Sequence, residues 1–369
     1  MPEPASRPRS APPASRVVAS PFDDAVLAGY LELSARHYGA DSRSAHAAHA
    51  RWKLQTPPAG PAMHFGLSRE GAGIGRILLQ RRDLRLGDRR LRAGYTVDFL
   101  VDAQQAKATD ALKLVGAVPK AAGFDLVYQT YNERSAPLYE QIKRFFPNYV
   151  ERFRLRPFGL PLRAQRPLAS LAGLNLPGID LLSMPWRLGL SAYAATGRIE
   201  ATTEPPAEPE LAGLLDRFAA GVGLHSVRDP AVLRWRFADG PFFNGRTIYL
   251  RRGGRLVGYY ATTVTEFSGA KFLALMDAVV DPDVGDVGVS AIKRRVLADA
   301  LAAGCDILFA MFNPQSALGR RFMGFPFLSL PERLMKHPTP IFVLDVDRSL
   351  ADMAARSDGY FLLTDLDYF

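Results

Sequence analysis

The stretch Arg51-Trp52-Lys53 returns as Arg234-Trp235-Arg236, with the two tryptophans 183 residues apart. Two further pairs of segments follow at nearly the same spacing: Val97–Asp102 with Met276–Asp281, and Asn132–Ala136 with Asn313–Ala317. Three matched points at a nearly constant offset indicate that one domain is present twice. Solenoid repeats have periods of roughly 20–50 residues, so a spacing this long excludes a solenoid. Any function must therefore be explained by one domain used twice.

The composition is that of a globular protein with two domain-sized units. The chain has 369 residues, of which 48% are hydrophobic and 22% charged, and this length allows two separate cores. The formal net charge is +9, but no zinc-finger or RNP-type motif accompanies the arginines, so no specific nucleic-acid partner is expected. Cys305 is the single cysteine, which excludes an internal disulfide and a cysteine-based metal cage. No metal is therefore expected.

The first twenty residues do not have the pattern of a membrane or secretion signal, which predicts neither. Residues 1–20 are rich in Pro, Ser, Ala and Arg and lack the apolar core of a signal peptide, so we expect a disordered leader and a cytoplasmic protein. No stretch approaches roughly 18 uninterrupted apolar residues, and no transmembrane helix is predicted. Residues 168–190 are apolar but interrupted by Gly, Asn, Pro and Asp. This segment is expected either to pack across both domains or to lie on a membrane surface.

Hydrophobic periodicity predicts the same order of elements in both halves: two helices, three strands, a helix, a strand and a helix. A closing strand is predicted at 340–346. The expected divisions are a first domain over 21–158, a proline-rich linker over 159–208 and a second domain over 209–369. Antiparallel hairpins combined with one parallel crossover are typical of the α+β class. Each domain is thus predicted to be a mixed, mostly antiparallel sheet flanked by helices.

This order, with the residues at its joints, resembles the GNAT acyltransferases (the Gcn5-related N-acetyltransferase superfamily), and each half resembles them separately. The chain is therefore similar to tandem members such as mycothiol synthase-like enzymes and the FemABX aminoacyl transferases. The resemblance implies that an acyl-CoA, with acetyl-CoA expected, binds where the fourth strand of a half diverges from the fifth. Its pyrophosphate would rest on the following loop and helix start, where free N–H groups and the helix dipole attract anions.

The second half keeps more of the family's phosphate-loop pattern, (Gln/Arg)-x-x-Gly-x-(Gly/Ala). The residues that match the expected cofactor site there are Val279, Val280, Gly288 and Ser290. Three aspartates, Asp281, Asp283 and Asp286, place negative charge beside the expected phosphates. The first half has Ala106–Ala111 at this place, without a glycine, although Lys107 supplies a positive charge.

A later motif of the family, Asn-x-x-(Ala/Ser)-x-x-x-Tyr, is kept better in the first half, as Asn132, Ser135 and Tyr139. The second half has Asn313 but carries Arg320 at the tyrosine position. The resemblance implies that Asn132 and Asn313 lie at the cofactor and that Tyr139 faces the CoA sulfur. The candidate acid therefore lies in one half and the better phosphate loop in the other.

Acyl transfer from a thioester to an amine requires loss of an amine proton, donors for the oxyanion and a proton for the leaving thiolate. The resemblance implies that a backbone N–H near Val101 or Val280 binds the oxyanion. Tyr139 is the candidate acid, although a thiol with a pKa of about 8.5 gives a tolerable leaving group without one. The alternative for Tyr139 is packing in the core with Leu138 and Phe145.

Asp98 and Asp277 occupy matched positions in otherwise apolar strands. Burial among apolar side chains raises the pKa of a carboxyl group, which would make each aspartate a candidate general base. The alternative is a structural role in both copies, such as binding the arginine of the duplicated Arg-Trp-Lys/Arg helix.

The sequence thus predicts an acyl-CoA-dependent N-acyltransferase that acetylates an amine, such as an amino sugar, a small amine or a peptide, by direct transfer in a ternary complex. Two other functions stay open. One is a non-catalytic tandem binding module, and the other is a FemABX-like transferase that uses aminoacyl-tRNA, for which the positive charge is suited. The sequence predicts neither the acceptor nor the oligomeric state.

Overall fold

A computed structural model describes most of the chain, namely residues 14–120, 123–130, 135–146, 149–163, 184–196, 199–267, 269–330, 339–345 and 358–366. The first half contains β1 (Arg16–Pro21), α1 (Asp24–Tyr38), α2 (Ala47–Ala50), β2 (Met63–Arg69), β3 (Ala72–Arg81), β4 (Leu84–Leu86), β5 (Arg89–Leu91), β6 (Ala93–Val101), α3 (Ala108–Ala117), β7 (Leu126–Gln129), α4 (Ala136–Phe145) and β8 (Tyr149–Pro161). The second half contains α5 (Met184–Ala194), β9 (Glu200–Thr202), α6 (Glu208–Gly221), β10 (Leu224–Ser226), α7 (Pro230–Leu233), β11 (Gly245–Arg252), β12 (Arg255–Phe267), β13 (Ala270–Val280), α8 (Gly285–Ala302), β14 (Ile307–Phe312), α9 (Ala317–Phe322), β15 (Leu328–Ser329) and β16 (Thr339–Asp345).

The two halves form one continuous sheet in which each half supplies its last strand to the other. The strand order is β1-β2-β3-β6-β7-β16-β8-β14-β13-β12-β11-β9, with β15 paired to β8. β16 pairs with β7, where Phe342 lies opposite Gln129, and β8 continues into the second half, where Gly159 lies opposite Phe309. A side chain at Gly159 would collide with the carbonyl oxygen of Leu308, so glycine permits the crossing.

This exchange of strands crosses the predicted domain boundaries. The α+β class is confirmed. The predicted divisions at 158 and 209 do not coincide with the ends of two complete sheets, because each half of the sheet is finished by a strand of the other half. The predicted leader over 1–20 is wrong at its end, since β1 pairs with β2 from Arg16 onward. The predicted linker contains α5, which packs on α8, and β9, which pairs with β11.

The duplicated tryptophan segments form the contact between the halves. Each lies in a single π-helical turn, Arg51–Gln55 and Arg234–Ala238. The Nε1 atom of Trp52 donates a hydrogen bond to the Trp235 carbonyl oxygen (2.7 Å), and the Nε1 atom of Trp235 donates to the Trp52 carbonyl oxygen (2.9 Å). The two rings stack with centroids 5.2 Å apart. Reciprocal contacts of this kind define a two-fold relation between the copies.

The core also crosses between the halves. One apolar cluster packs Leu78 and Tyr95 of the first half with Met276 and Met311 of the second. The hairpin formed by β4 and β5, which the sequence did not predict, pairs with β10 of the second half and forms a separate three-stranded sheet. The candidate sites therefore lie in one rigidly joined scaffold rather than in two separate domains.

Candidate functional site

In the first half, β6 and β7 diverge where the family resemblance places the acyl-CoA. The two strands pair in parallel from Ala93 to Tyr95 of β6, after which β6 continues to Val101 without pairing to β7. Asp98 adopts a φ of 50° and lies in a bulge against β3. A bulge bends a strand and ends regular pairing, which explains the divergence. The opening exposes backbone groups of β6 from Thr96 onward.

A network of hydrogen bonds crosses the base of this opening. The Thr96 hydroxyl, at the residue where pairing ends, donates to Oε1 of Gln129 at the end of β7 (2.8 Å). The amide nitrogen of Gln129 donates to the Tyr149 hydroxyl, and Tyr139 is also hydrogen-bonded to Gln129. Thr96, Gln129 and Tyr149 were not among the predicted site residues. Their polar side chains at the ends of apolar strands were the signal that sequence reasoning overlooked.

Tyr139 lies on α4 against this network and is almost fully buried, with 3% of its surface exposed. Its ring stacks on Tyr149, with centroids 6.2 Å apart, so the side chain packs in the core of the first half. Burial raises the pKa of Tyr139, so the phenol is protonated near neutral pH but is a weaker acid than an exposed tyrosine. Tyr139 therefore packs in the core, as one alternative predicted, and also lies beside the opening, as the other requires.

The other predicted residues of the first half frame the opening. Val101 ends β6 and is half-buried, while Asn132 lies outside the described residues. The start of α3 is closed by Asp110, which accepts a hydrogen bond from the Lys107 N–H (2.8 Å) and pairs with Arg69 (2.7 Å). Burial works to raise the pKa of Asp110, but hydrogen bonds and the nearby cations hold it below its ordinary value. Lys107 is exposed at this helix start.

Asp98 is not the raised-pKa base that its apolar neighbours suggest. Its carboxylate accepts from Lys53 (2.8 Å) and from the Tyr30 hydroxyl (2.6 Å). Burial acts to raise the pKa of Asp98, but Lys53 and Arg76 outweigh it and lower the pKa to about 2. The expected raised pKa is therefore wrong for Asp98, because Lys53 stabilises the charged form. The partner is the lysine of the duplicated segment rather than its arginine.

The corresponding opening in the second half is filled by the chain itself. β13 and β14 pair in parallel up to Leu275 and Ala310 and then diverge. Between their ends, the Tyr360 hydroxyl donates to the Ala278 carbonyl oxygen (2.8 Å), and the Asn313 amide donates to the Gly359 carbonyl oxygen (2.9 Å). Asn313, predicted to meet a cofactor, thus binds residues 358–366 of its own chain.

The phosphate-loop residues of the second half have structural explanations. A Cβ at Gly288 would stand 2.6 Å from Cγ1 of Val280 and 2.8 Å from Cγ2 of Val284, so glycine lets α8 approach the end of β13. Val279 and Val280 are buried, and Ser290 is half-buried on α8. The aspartates of this loop are neutralised by arginines: Asp281 by Arg217 and Arg255, Asp283 by Arg255, and Asp286 by Arg321.

Asp277 belongs to a closed ionic cluster. Its carboxylate accepts from Arg228 (2.9 Å) and from the Tyr259 hydroxyl (2.7 Å), and Arg228 also reaches Asp365 (3.0 Å). Ser226 donates to Asp365 at 2.5 Å. All of these side chains are buried, and Asp277 is held in place by its partners.

The described residues offer neither a metal site nor a membrane-spanning helix. No group of three or more His, Cys, Asp or Glu side chains in that part of the chain could hold a metal ion. Within the same residues, no helix has both the length and the apolar character needed to cross a membrane. Of the apolar segment 168–190, only the part from Met184 onward is described, and Met184, Trp186 and Leu188 are exposed on α5.

Comparisons with solved structures identify the fold. The chain is similar to Saccharomyces cerevisiae N-myristoyltransferase with bound myristoyl-CoA, with 13% identity, a TM-score of 0.58, and coverage of 92% of this chain and 81% of that one. It is similar to a GCN5-related N-acetyltransferase from Anabaena variabilis, with 10% identity, a TM-score of 0.60, and coverage of 90% and 73%. A third match, a probable N-acyltransferase from Enterococcus faecalis, has 9% identity, a TM-score of 0.57, and coverage of 90% and 74%. No family model and no curated protein matches the sequence. The fold is therefore that of the GNAT superfamily, with two GNAT-like lobes.

Proposed function

We propose that the protein is an acyl-CoA-dependent N-acyltransferase whose donor site is the opening between β6 and β7 in the first half. The observation that carries the proposal is the difference between the two openings. Residues 358–366 bind the diverging ends of β13 and β14, whereas β6 beyond Tyr95 continues without pairing to β7. The solved acyltransferases of the same fold make an acyl-CoA the expected occupant.

The reaction assigns a role to each group at this opening. The acceptor amine attacks the thioester carbonyl carbon, a C–N bond forms, and the oxygen becomes an oxyanion held by backbone N–H groups of β6 between Thr96 and Val101. The C–S bond then breaks, and Tyr139 gives its proton to the leaving thiolate. The Tyr139 phenolate is reprotonated by water, and the amine proton also leaves to water, since Asp98 at a pKa of about 2 holds protons too weakly.

In this proposal the second half completes the shared sheet and holds no second acyl-CoA site. Its cofactor-like residues Gly288 and Asn313 serve helix packing and the capture of residues 358–366. The acceptor is a small or peptide amine that approaches from the side of the sheet covered by α1 and α2. The transferred group is an acetyl group by the sequence resemblance, while one protein of this fold holds myristoyl-CoA. A direct comparison of the two donors decides the chain length.

Isothermal titration with acetyl-CoA and with myristoyl-CoA tests the proposal, and saturable binding of at least one is expected. Hydrogen exchange of the complex then locates the site. Protection is expected at 97–101 and at the start of α3, with the matched segments 277–280 and 285–290 unchanged as an internal control. Absence of binding of both donors up to millimolar concentration would refute the function, and protection confined to the second half would refute the assignment of the site.

A further inference from the structure

A groove separate from the acyl-CoA opening runs between α1 and strands β1 to β3. Its volume is about 480 Å³. Small residues line both walls, with Ala25 and Gly29 on α1 and Gly66 and Gly73 on the strands. We refer to this space as the α1 groove.

The floor of the α1 groove is formed in part by Arg76, whose side chain is 1% exposed. One guanidinium nitrogen donates to the Tyr30 carbonyl oxygen (2.7 Å) and another to the Ser34 hydroxyl (2.8 Å). The guanidinium also lies 3.8 Å from the centre of the Tyr30 ring. Its Nε–H has no hydrogen-bond partner. Across the described chain, no carboxylate lies within ion-pair distance of Arg76.

Burial of Arg76 with an unpartnered Nε–H lowers the stability of the folded protein. The ionised Asp98 balances the charge of Arg76 only from beyond ion-pair distance, and a buried donor without an acceptor costs roughly 1–3 kcal/mol. An anionic ligand that accepts from Nε would supply the missing hydrogen bond and place a negative charge directly on the guanidinium.

The second copy shows that the fold does not require a cation here. Gly75 lies opposite Val101 at the end of β6, and Gly258 lies opposite Val280 at the end of β13, so the next residues, Arg76 and Tyr259, are equivalent. Tyr259 is an uncharged side chain whose hydroxyl donates to an aspartate of its own half. The repeat thus acts as an internal comparison, and the arginine is a property of the first half alone.

We propose that the α1 groove binds a short-chain carboxylate, with its carboxyl group on Arg76 and its hydrocarbon part between α1 and the strands. Val26 and Leu33 of α1 give the groove apolar lining. His64 also lines the groove, and burial together with Arg76 lowers the pKa of His64 to about 4. The imidazole is therefore neutral near pH 7, and Arg76 carries the positive charge of the groove floor.

Titration of the full-length protein with hexanoate, followed by NMR, tests the proposal against hexanamide, which has the same shape without the charge. Saturable shifts at residues of α1 and β2 are expected with hexanoate, and binding of hexanamide is expected to be weaker by roughly tenfold or more, as for loss of one charge-assisted hydrogen bond. Equal binding of the two probes, or no saturable shift with hexanoate, would overturn the proposal.

Variants separate the groove from general effects on folding. Gly29→Leu is expected to abolish binding by filling the groove, and it is compatible with the helix because a Cβ at Gly29 meets no atom within 4 Å. Ala28→Leu, on the exposed face of α1, is the matched control and should bind hexanoate normally. Arg76→Gln should lose the preference for hexanoate over hexanamide. Normal binding by Gly29→Leu would contradict the location.

Discussion

Replacement of either interface tryptophan by phenylalanine tests whether the reciprocal contact joins the halves. Trp52→Phe removes the hydrogen bond to the Trp235 carbonyl oxygen, and Trp235→Phe removes its mirror image. Each change leaves a partly buried carbonyl oxygen without its donor and shortens one ring of a stacked pair. Both changes affect the same contact although the residues lie 183 positions apart.

The expected loss of unfolding free energy follows from these contacts. A net intramolecular hydrogen bond contributes about 1 kcal/mol, and shrinking a large buried ring adds about 1 kcal/mol more, so each single variant should lose about 2 kcal/mol. The stacked pair contributes about 1 kcal/mol that either change already weakens. The double variant should therefore lose less than the sum of the singles, with a coupling energy of about 1 kcal/mol.

Urea unfolding followed by circular dichroism measures these losses, because this signal does not depend on the replaced fluorophores. Trp186→Phe is the matched control, since its side chain is 47% exposed on α5, and a loss below about 0.5 kcal/mol is expected. A single cooperative transition is also expected, because the exchanged strands link the halves. The reasoning would be refuted if each tryptophan variant lost no more unfolding free energy than the control and the two losses were additive. Two separate unfolding transitions would also refute it.

Four further outcomes are expected. Tyr139→Phe should lower kcat by roughly tenfold in a thiol-release assay while acyl-CoA still binds, and an unchanged kcat would remove its role as acid. Asp98→Asn should lower the free energy of unfolding by about 2 kcal/mol at pH 7, because the pKa of Asp98 is about 2 in the folded protein against an ordinary 3.8. This stabilisation is present above about pH 4 and is lost as the pH falls through 2. The unfolding free energies of wild type and variant should therefore converge in acid. Arg228→Met should lower the free energy of unfolding by about 3–5 kcal/mol, because it leaves Asp277 buried without its cation. The affinity of the folded variant for acyl-CoA should not change. A weaker affinity with unchanged stability would contradict this prediction. Deletion of 339–369 should abolish folding of the first half as well as the second, and a native circular dichroism signal with retained acyl-CoA binding would show that β16 is dispensable.

The elements that the sequence predicted were those set by local pattern. The helix at 24–38 was predicted from apolar spacing, and the structure places α1 at those residues, capped by the Asp23 carboxylate. The duplicated segments were visible because their residue types are rare: a tryptophan flanked by basic residues has few chance matches. These features need only a short window of sequence.

The exchange of β8 and β16 needed information that no short window contains. Both are ordinary apolar strands, and their partners are chosen by the geometry of the whole sheet. The pKa of Asp98 was mispredicted for the same reason, since its apolar neighbours are adjacent in sequence whereas Lys53 is 45 residues away. The filling of the second opening by residues 358–366 likewise depends on contacts made across the fold. Sequence therefore located the candidate residues without their partners.

The partners divide the repeated residues into two groups. Where both copies keep the same residue, as at Trp52 and Trp235, the side chains hold the halves together. Where the copies differ, the first half carries the group that is not needed for packing. Arg76 replaces a tyrosine that satisfies its neighbours in the second half. At Thr96, β6 diverges from β7 where residues 358–366 bind the matching strand end of the second half. A duplicated domain can specialise in this way because one copy maintains the shared sheet while the other carries less stable, ligand-facing groups.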